Sequence, residues 1–138
     1  MSSSNLDNLV KSGQLKEEPA NRFEIDGLVH SAQVRLRDAE NTMLSPESRF
    51  DLAYNAAHAL SLAALRWRGY RSTNRYMVFQ ALSHTAGLRP EIWRVLSKCH
   101  QRRNLAEYEG EFEIEEQLLT DLLKVTRELL SAINALIG

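Results

Sequence analysis

Residues 50–67 read FDLAYNAAHALSLAALRW, and the reading of that run decides the fold. Phe50, Ala53, Tyr54, Ala57, Leu60, Ala64 and Trp67 recur at the spacing of one helical stripe. Leu52, Ala56, Ala59, Leu62, Ala63 and Leu65 fill much of the remaining circumference. A helix that is apolar nearly all round belongs in the middle of a helical assembly. Its alanines let neighbouring helices approach closely. Ser45-Pro46 supplies an N-cap and a first-turn proline, and Gly69 suits the C-terminal cap.

The same periodicity extends outward on both sides. Upstream, Asn21 followed by Glu24 reads as a capping box. Ile25, Leu28, Val29, Ala32, Leu36, Ala39 and Met43 then share one stripe. Before it, Leu6, Leu9 and Val10 suggest a short amphipathic helix ending near Gly13, and residues 16–20 read as a linker. Downstream, Ser72 or Thr73 caps a fourth helix with Tyr76, Phe79, Leu82 and Ala86 inward, ending at Gly87. Pro90 opens a fifth, with Ile92, Val95, Leu96, Cys99 and Ala106 on its apolar face and Gly110 breaking it. The last begins near Glu113, where Glu113, Glu115 and Glu116 complement the positive end of the helix dipole. Ile114, Leu118, Leu122, Val125, Leu129, Ile133 and Leu136 carry its seam to the terminus. No alternating strand pattern of useful length interrupts the series. The sequence predicts an all-α, up-and-down bundle of about five helices over residues 21–138, preceded by a short helix and linker in residues 1–20.

A chain of 138 residues, 43% hydrophobic and 25% charged, is long enough to bury one core and too apolar for global disorder. The formal net charge of -1 argues against a general nucleic-acid or membrane coat, yet it hides a segregation. Residues 1–65 hold 6 basic and 9 acidic residues; residues 66–103 hold 9 basic and 1 acidic; residues 104–138 hold 2 basic and 8 acidic. Such a central field can steer an anionic partner, or it can reflect oppositely charged helices lying side by side. The lone cysteine, Cys99, precludes an internal disulfide and falls on an apolar face, as a buried structural thiol does. The N-terminal Met1-Ser2-Ser3-Ser4 lacks the pattern of a signal peptide, and no run approaches the ~20 apolar residues of a membrane span. A cytoplasmic protein is expected. His30, His58 and His84 lie on separate helices without zinc-ligand spacing, and no glycine-rich phosphate loop occurs, so no cofactor and no metal is expected. Trp67, Trp93 and the tyrosines near the basic segment have the chemistry to stack on bases, though helical positions suit them equally to a core.

One polar constellation stands out. His100, Arg103, Asn104, Glu107 and Tyr108 are spaced 0, 3, 4, 7 and 8, which places all five on one helical face. Arg103 lies beside Cys99 and Ala106 at the edge of the apolar stripe, whereas Arg102 points to the solvent side. A part-buried guanidinium needs partners for its five donors, and Glu107 one turn on is the expected one. Two readings follow: an internal network of Arg103, Glu107, Asn104 and Tyr108 that stabilises the fold or a dimer, or a face that holds an anionic ligand.

The segment Arg102-Arg103-Asn104-Leu105-Ala106-Glu107-Tyr108-Glu109-Gly110, set before a final long helix in an all-α bundle, resembles the signature helix of the HEPN superfamily, the higher eukaryote and prokaryote nucleotide-binding domains. The architectural resemblance covers roughly residues 25–137, and these nine residues carry its sequence specificity. Many members are metal-independent endoribonucleases of toxin–antitoxin or antiviral systems, commonly homodimers whose signature helices meet in a cleft. Their motif is an arginine, usually followed by a polar residue such as asparagine, then a histidine after four to six intervening positions. Arg103 and Asn104 match its start, and Tyr108 stands where the histidine is expected. His100 is the last histidine of the chain, one turn upstream of Arg103 on the same face. The resemblance implies a catalytic set of Arg103, His100 and Tyr108 with Asn104, Glu107 and Arg102 binding, acting on or retaining RNA or a nucleotide. A phenol with a pKa near ~10 is a poor base at neutral pH, so the motif is that of a degenerate ribonuclease. The alternative it implies is a non-catalytic module whose basic region, Arg66 to Arg103, docks a nucleotidyltransferase or antitoxin.

Overall fold

A computed structural model describes residues 3–109 and 114–138, with side chains at residues 5–105 and 114–138. Seven helices appear among the described residues: α1 Ser3–Lys11, α2 Arg22–Ala39, α3 Pro46–Trp67, α4 Arg75–Gln80, α5 Leu82–Thr85, α6 Pro90–Glu109 and α7 Glu116–Ile137. The all-α helical bundle expected from the sequence is what forms.

α3 occupies the centre, packed against α2 and α7 along its length and against α4, α5 and α6 at its sides. Phe50, Ala53, Tyr54, Ala57, Leu60 and Ala64 are all fully buried, as are Ala56 and Ala63 on its other flanks. The ends of the helices fix their directions. Arg49 Nε, early in α3, donates to the carbonyl of Ala39 at the end of α2. Arg66 Nε, late in α3, donates to Glu24 at the start of α2 at 2.8 Å. The two helices are therefore antiparallel. Likewise Asp51 and Tyr54 of α3 face Arg103 and His100 of α6, which runs antiparallel to α3.

Local signals account for most boundaries. Asn21 Oδ1 accepts from the Glu24 amide, and Ser45 Oγ accepts from the Ser48 amide with Pro46 in the first turn. Gly69 ends α3 with φ at 88°, a conformation that disfavours a side chain. Other expectations are corrected. Asn74, not Ser72 or Thr73, caps the fourth helix, its Oδ1 accepting from the Met77 amide. That helix divides at Ala81 into α4 and α5, and the bend serves two cores. Phe79 and Leu82 enter the main core, whereas Met77, Val78 and Ala81 join a second one. Tyr76 is 36% exposed rather than inward. Met43 is 89% exposed, because α2 stops at Ala39 and the Asn41 side chain turns the chain by accepting the Met43 amide. The expected break at Gly110 and helix start at Glu113 lie outside the described residues; α7 is observed from Glu116.

The N-terminal part is tied to the bundle. Leu6 and Leu15 are buried in the second core with Leu65, Tyr70, Met77, Val78 and Ala81. Lys16–Glu17 pairs antiparallel with Tyr70–Arg71, a two-residue ladder (β1 and β2) too short to leave an alternating pattern. Beneath it lies Arg66, 1% exposed. Its Nε meets Glu24, Nη1 donates to the carbonyls of Glu18 and Tyr70, and Nη2 donates to that of Pro19 and lies 3.4 Å from the Glu18 carboxylate. Four hydrogen bonds and two carboxylates satisfy the guanidinium, which is the condition for burying an arginine. Arg71 pairs with the same two carboxylates. No helix among the described residues is long and apolar enough to cross a membrane.

Candidate functional site

Three helices converge on one buried ring. Tyr54 of α3 is fully buried, packed by Phe50 and Phe79, and its hydroxyl lies 2.8 Å from His100 Nδ1. Burial raises the Tyr54 pKa above its usual value against the lowering pull of Arg75 and Arg103. Its phenol therefore holds its proton at neutral pH. The other imidazole nitrogen, Nε2, lies 3.2 Å from the Asn104 amide nitrogen, one turn on in α6. A neutral imidazole has one donor and one acceptor nitrogen, so these bonds take complementary roles. With Asn104 N–H facing Nε2, Nδ1–H donates to Tyr54; with the amide rotated, both roles reverse. Both ring nitrogens are engaged in either arrangement.

Two guanidiniums flank this centre. Arg103 Cζ lies 5.0 Å from the centroid of the Tyr54 ring, and Arg75 Cζ lies 5.6 Å from it. Arg103 is 28% exposed at its side chain and its Nε stands 4.0 Å from Asp51, the outer limit of an ion pair. Arg75 donates to Asn55 Oδ1 at 3.2 Å. Among the described residues, Arg75 meets a neutral amide and an aromatic face but no carboxylate. His58, one turn beyond Tyr54, packs edge-on against Phe79. Burial first, then the charges of Arg75, Arg103 and His100, pushes its pKa down to about 4. Tyr76 completes the rim, its ring 6.1 Å from that of His100.

The structure thus brings together three of the six residues singled out from sequence: His100, Arg103 and Asn104. Arg102 is half-buried, not turned wholly to solvent. The side chains of Glu107 and Tyr108 lie outside the described residues, so the expected Arg103–Glu107 pair and the place of Tyr108 do too. Among the described residues, Arg103 meets Asp51 and Tyr54 of α3. Sequence reasoning missed Arg75. The pair Arg75-Tyr76 follows the capping run of Ser72, Thr73 and Asn74 inside the basic segment, but nothing local says which helix it faces.

The basic segment does not form one stripe. Arg66 and Arg71 are consumed by Glu18 and Glu24, Arg68 caps the Thr85 carbonyl, and Arg89 pairs with Glu128. Arg75 and Arg103 are the cations of the segment that lie against the Tyr54 ring, with the half-buried Arg102 beside the latter in sequence and Arg94 and Lys98 exposed elsewhere on α6. Cys99 is buried, and desolvation raises its thiol pKa to about 12, which keeps it protonated and inert. Among the described residues no group of three or more His, Cys, Asp or Glu is placed to hold a metal ion.

Comparisons with models of protein families, with characterised proteins and with solved structures return no match.

Proposed function

We propose that this chain is a HEPN-like, RNA- or nucleotide-associated protein whose ligand phosphates are held by Arg75 and Arg103, beside His100 and Asn104. The observation that carries this reading is Arg75. It is a half-buried guanidinium with only neutral partners among the described residues, set on the same ring as a second guanidinium. Cations near a low-dielectric wall favour anions beside them, and guanidinium geometry suits phosphate oxygens.

Retention is favoured over cleavage. A general base needs a nitrogen lone pair directed at a substrate proton, and both His100 nitrogens are engaged by Tyr54 and Asn104. Cleavage by His100 requires Asn104 to release Nε2 first. The degenerate motif, with Tyr108 in the place of histidine, fits a toxin–antitoxin or defence component that has lost or altered its ribonuclease step. On this reading the protein is cytoplasmic and works as a homodimer.

The rival occupant is an acidic protein surface, such as that of a nucleotidyltransferase or antitoxin. Tyr76, 36% exposed beside His100, supplies an apolar contact that such a partner would cover. The test is filter retention of a labelled single-stranded RNA by the purified chain, run with Arg75→Ala and Arg103→Ala. The wild type should retain the RNA and both variants should lose it with unchanged circular dichroism. A wild type that retains no RNA, and co-purifies instead with one stoichiometric acidic protein, overturns this reading for the rival.

A further inference from the structure

We infer that Tyr76 is a stacking platform for an unpaired base, so that the site takes single-stranded RNA and discriminates against duplex. This rests on the reading of the Arg75–Arg103 face as a phosphate site.

α4 is a six-residue helix, Arg75–Gln80, and Met77, Val78 and Phe79 are all buried. Tyr76 alone of its large apolar side chains stays at the surface, 36% exposed. Its ring is anchored on the site, with its centroid 6.1 Å from that of His100 and its plane tilted by 42°. It neither stacks on the imidazole nor closes over it. The residue before it is Arg75, whose guanidinium turns inward to Asn55 and the Tyr54 ring. One short helix therefore presents a cation and an aromatic ring side by side, and α6 supplies the second cation from across Tyr54.

That arrangement matches a nucleotide unit in a strand. Cations on two separate helices suit successive phosphates, and an aromatic beside them suits the base between. A tyrosine surrenders few side-chain torsions on stacking, so it makes a low-entropy contact. Base faces in a duplex are already covered by their neighbours, which is why aromatic platforms select single strands. The selection is by an exposed π-face, so it is tolerant of base identity.

The experiment measures fluorescence anisotropy with a labelled hexa-adenylate RNA, an abasic ribose-phosphate strand of equal length, and the RNA paired to its complement. Wild type is compared with Tyr76→Ala and Tyr76→Trp. The expected result is that Tyr76→Ala weakens binding of hexa-adenylate by roughly ten-fold, the size of one lost base stack, and leaves the abasic strand unchanged. Tyr76→Trp restores the affinity, and the duplex binds the wild type no better than the abasic strand does. Equal binding of hexa-adenylate and abasic strand by the wild type overturns the platform while leaving the phosphate site intact. So does a Tyr76→Ala that weakens both alike. A wild type that binds neither strand removes the phosphate site itself and this inference with it. Tyr76 is at the surface, so its variants leave the core untouched, and circular dichroism verifies that.

Discussion

The Tyr54 hydroxyl meets His100 Nδ1 at 2.8 Å, joining the central helix to α6 through a buried phenol and a half-buried imidazole. This bond holds the face of α6 that carries His100 and Arg103 against α3. Tyr54→Phe keeps the ring, its packing on Phe50 and Phe79 and its cation–π partners, and removes only the hydroxyl. The expected loss is about 1 kcal/mol in chemical denaturation. Tyr54→Ala also opens a cavity at a fully buried site and loses about 3–5 kcal/mol. Equal effects of the two variants would show that the hydroxyl contributes nothing separable.

His58 gives the fold a pH dependence of definite sign. Its folded pKa of about 4 lies below the ordinary 6.5, so the unfolded chain takes up a proton that the native state refuses. Stability from this residue is complete above pH ~6.5 and falls as the pH drops towards 4, where the folded form also protonates. The loss across that window is on the order of 2 kcal/mol, allowing for partial solvent access. Denaturation midpoints of His58→Gln should fall less steeply between these pH values than those of the wild type. Arg75→Ala should move the His58 pKa upward in a proton NMR titration, since Arg75 heads the charged groups that lower it.

Arg66 holds the N-terminal part to the bundle. Arg66→Ala leaves Glu24 and three backbone carbonyls without the guanidinium that satisfies them. The expected cost is about 3 kcal/mol, with faster proteolysis within residues 1–20. Arg66→Lys should rescue little, because an ammonium has three donors and no planar fork. Full stability in Arg66→Lys would contradict a role for the four guanidinium hydrogen bonds.

Cys99 should resist thiol reagents in the native state. Its thiol is buried, and desolvation raises the pKa to about 12. Modification by a disulfide reagent at pH 8 should follow the rate of unfolding and accelerate in denaturant. Rapid stoichiometric labelling of the native chain would contradict this burial.

The fold was legible wherever local chemistry and periodicity agree. The apolar circumference of residues 50–67, the caps at Asn21 and Ser45 and the glycine at 69 place α2 and α3 without reference to anything distant. Met43 misled because it continues the stripe after the chain has already turned at Asn41. The β1–β2 ladder and the Arg66 cluster join residues about fifty positions apart, and no window of sequence holds both sides. Half of the candidate site was legible for the same reason. His100, Arg103 and Asn104 share one helix, so their common face follows from spacing. Tyr54, Asp51 and Arg75 enter from α3 and α4, through contacts that depend on how the helices pack.

On the proposed reading, Arg75 and Arg103 together hold backbone phosphates. It is tested most directly by the salt dependence of single-stranded RNA affinity for the wild type, Arg75→Ala and the double variant with Arg103→Ala. Each phosphate neutralised on a single strand contributes a slope of about −0.7 to the logarithmic plot. The slope should become shallower by about 0.7 on removing Arg75 and by about 1.4 on removing both. Three superimposable slopes, or no RNA binding by the wild type even at low salt, would contradict it.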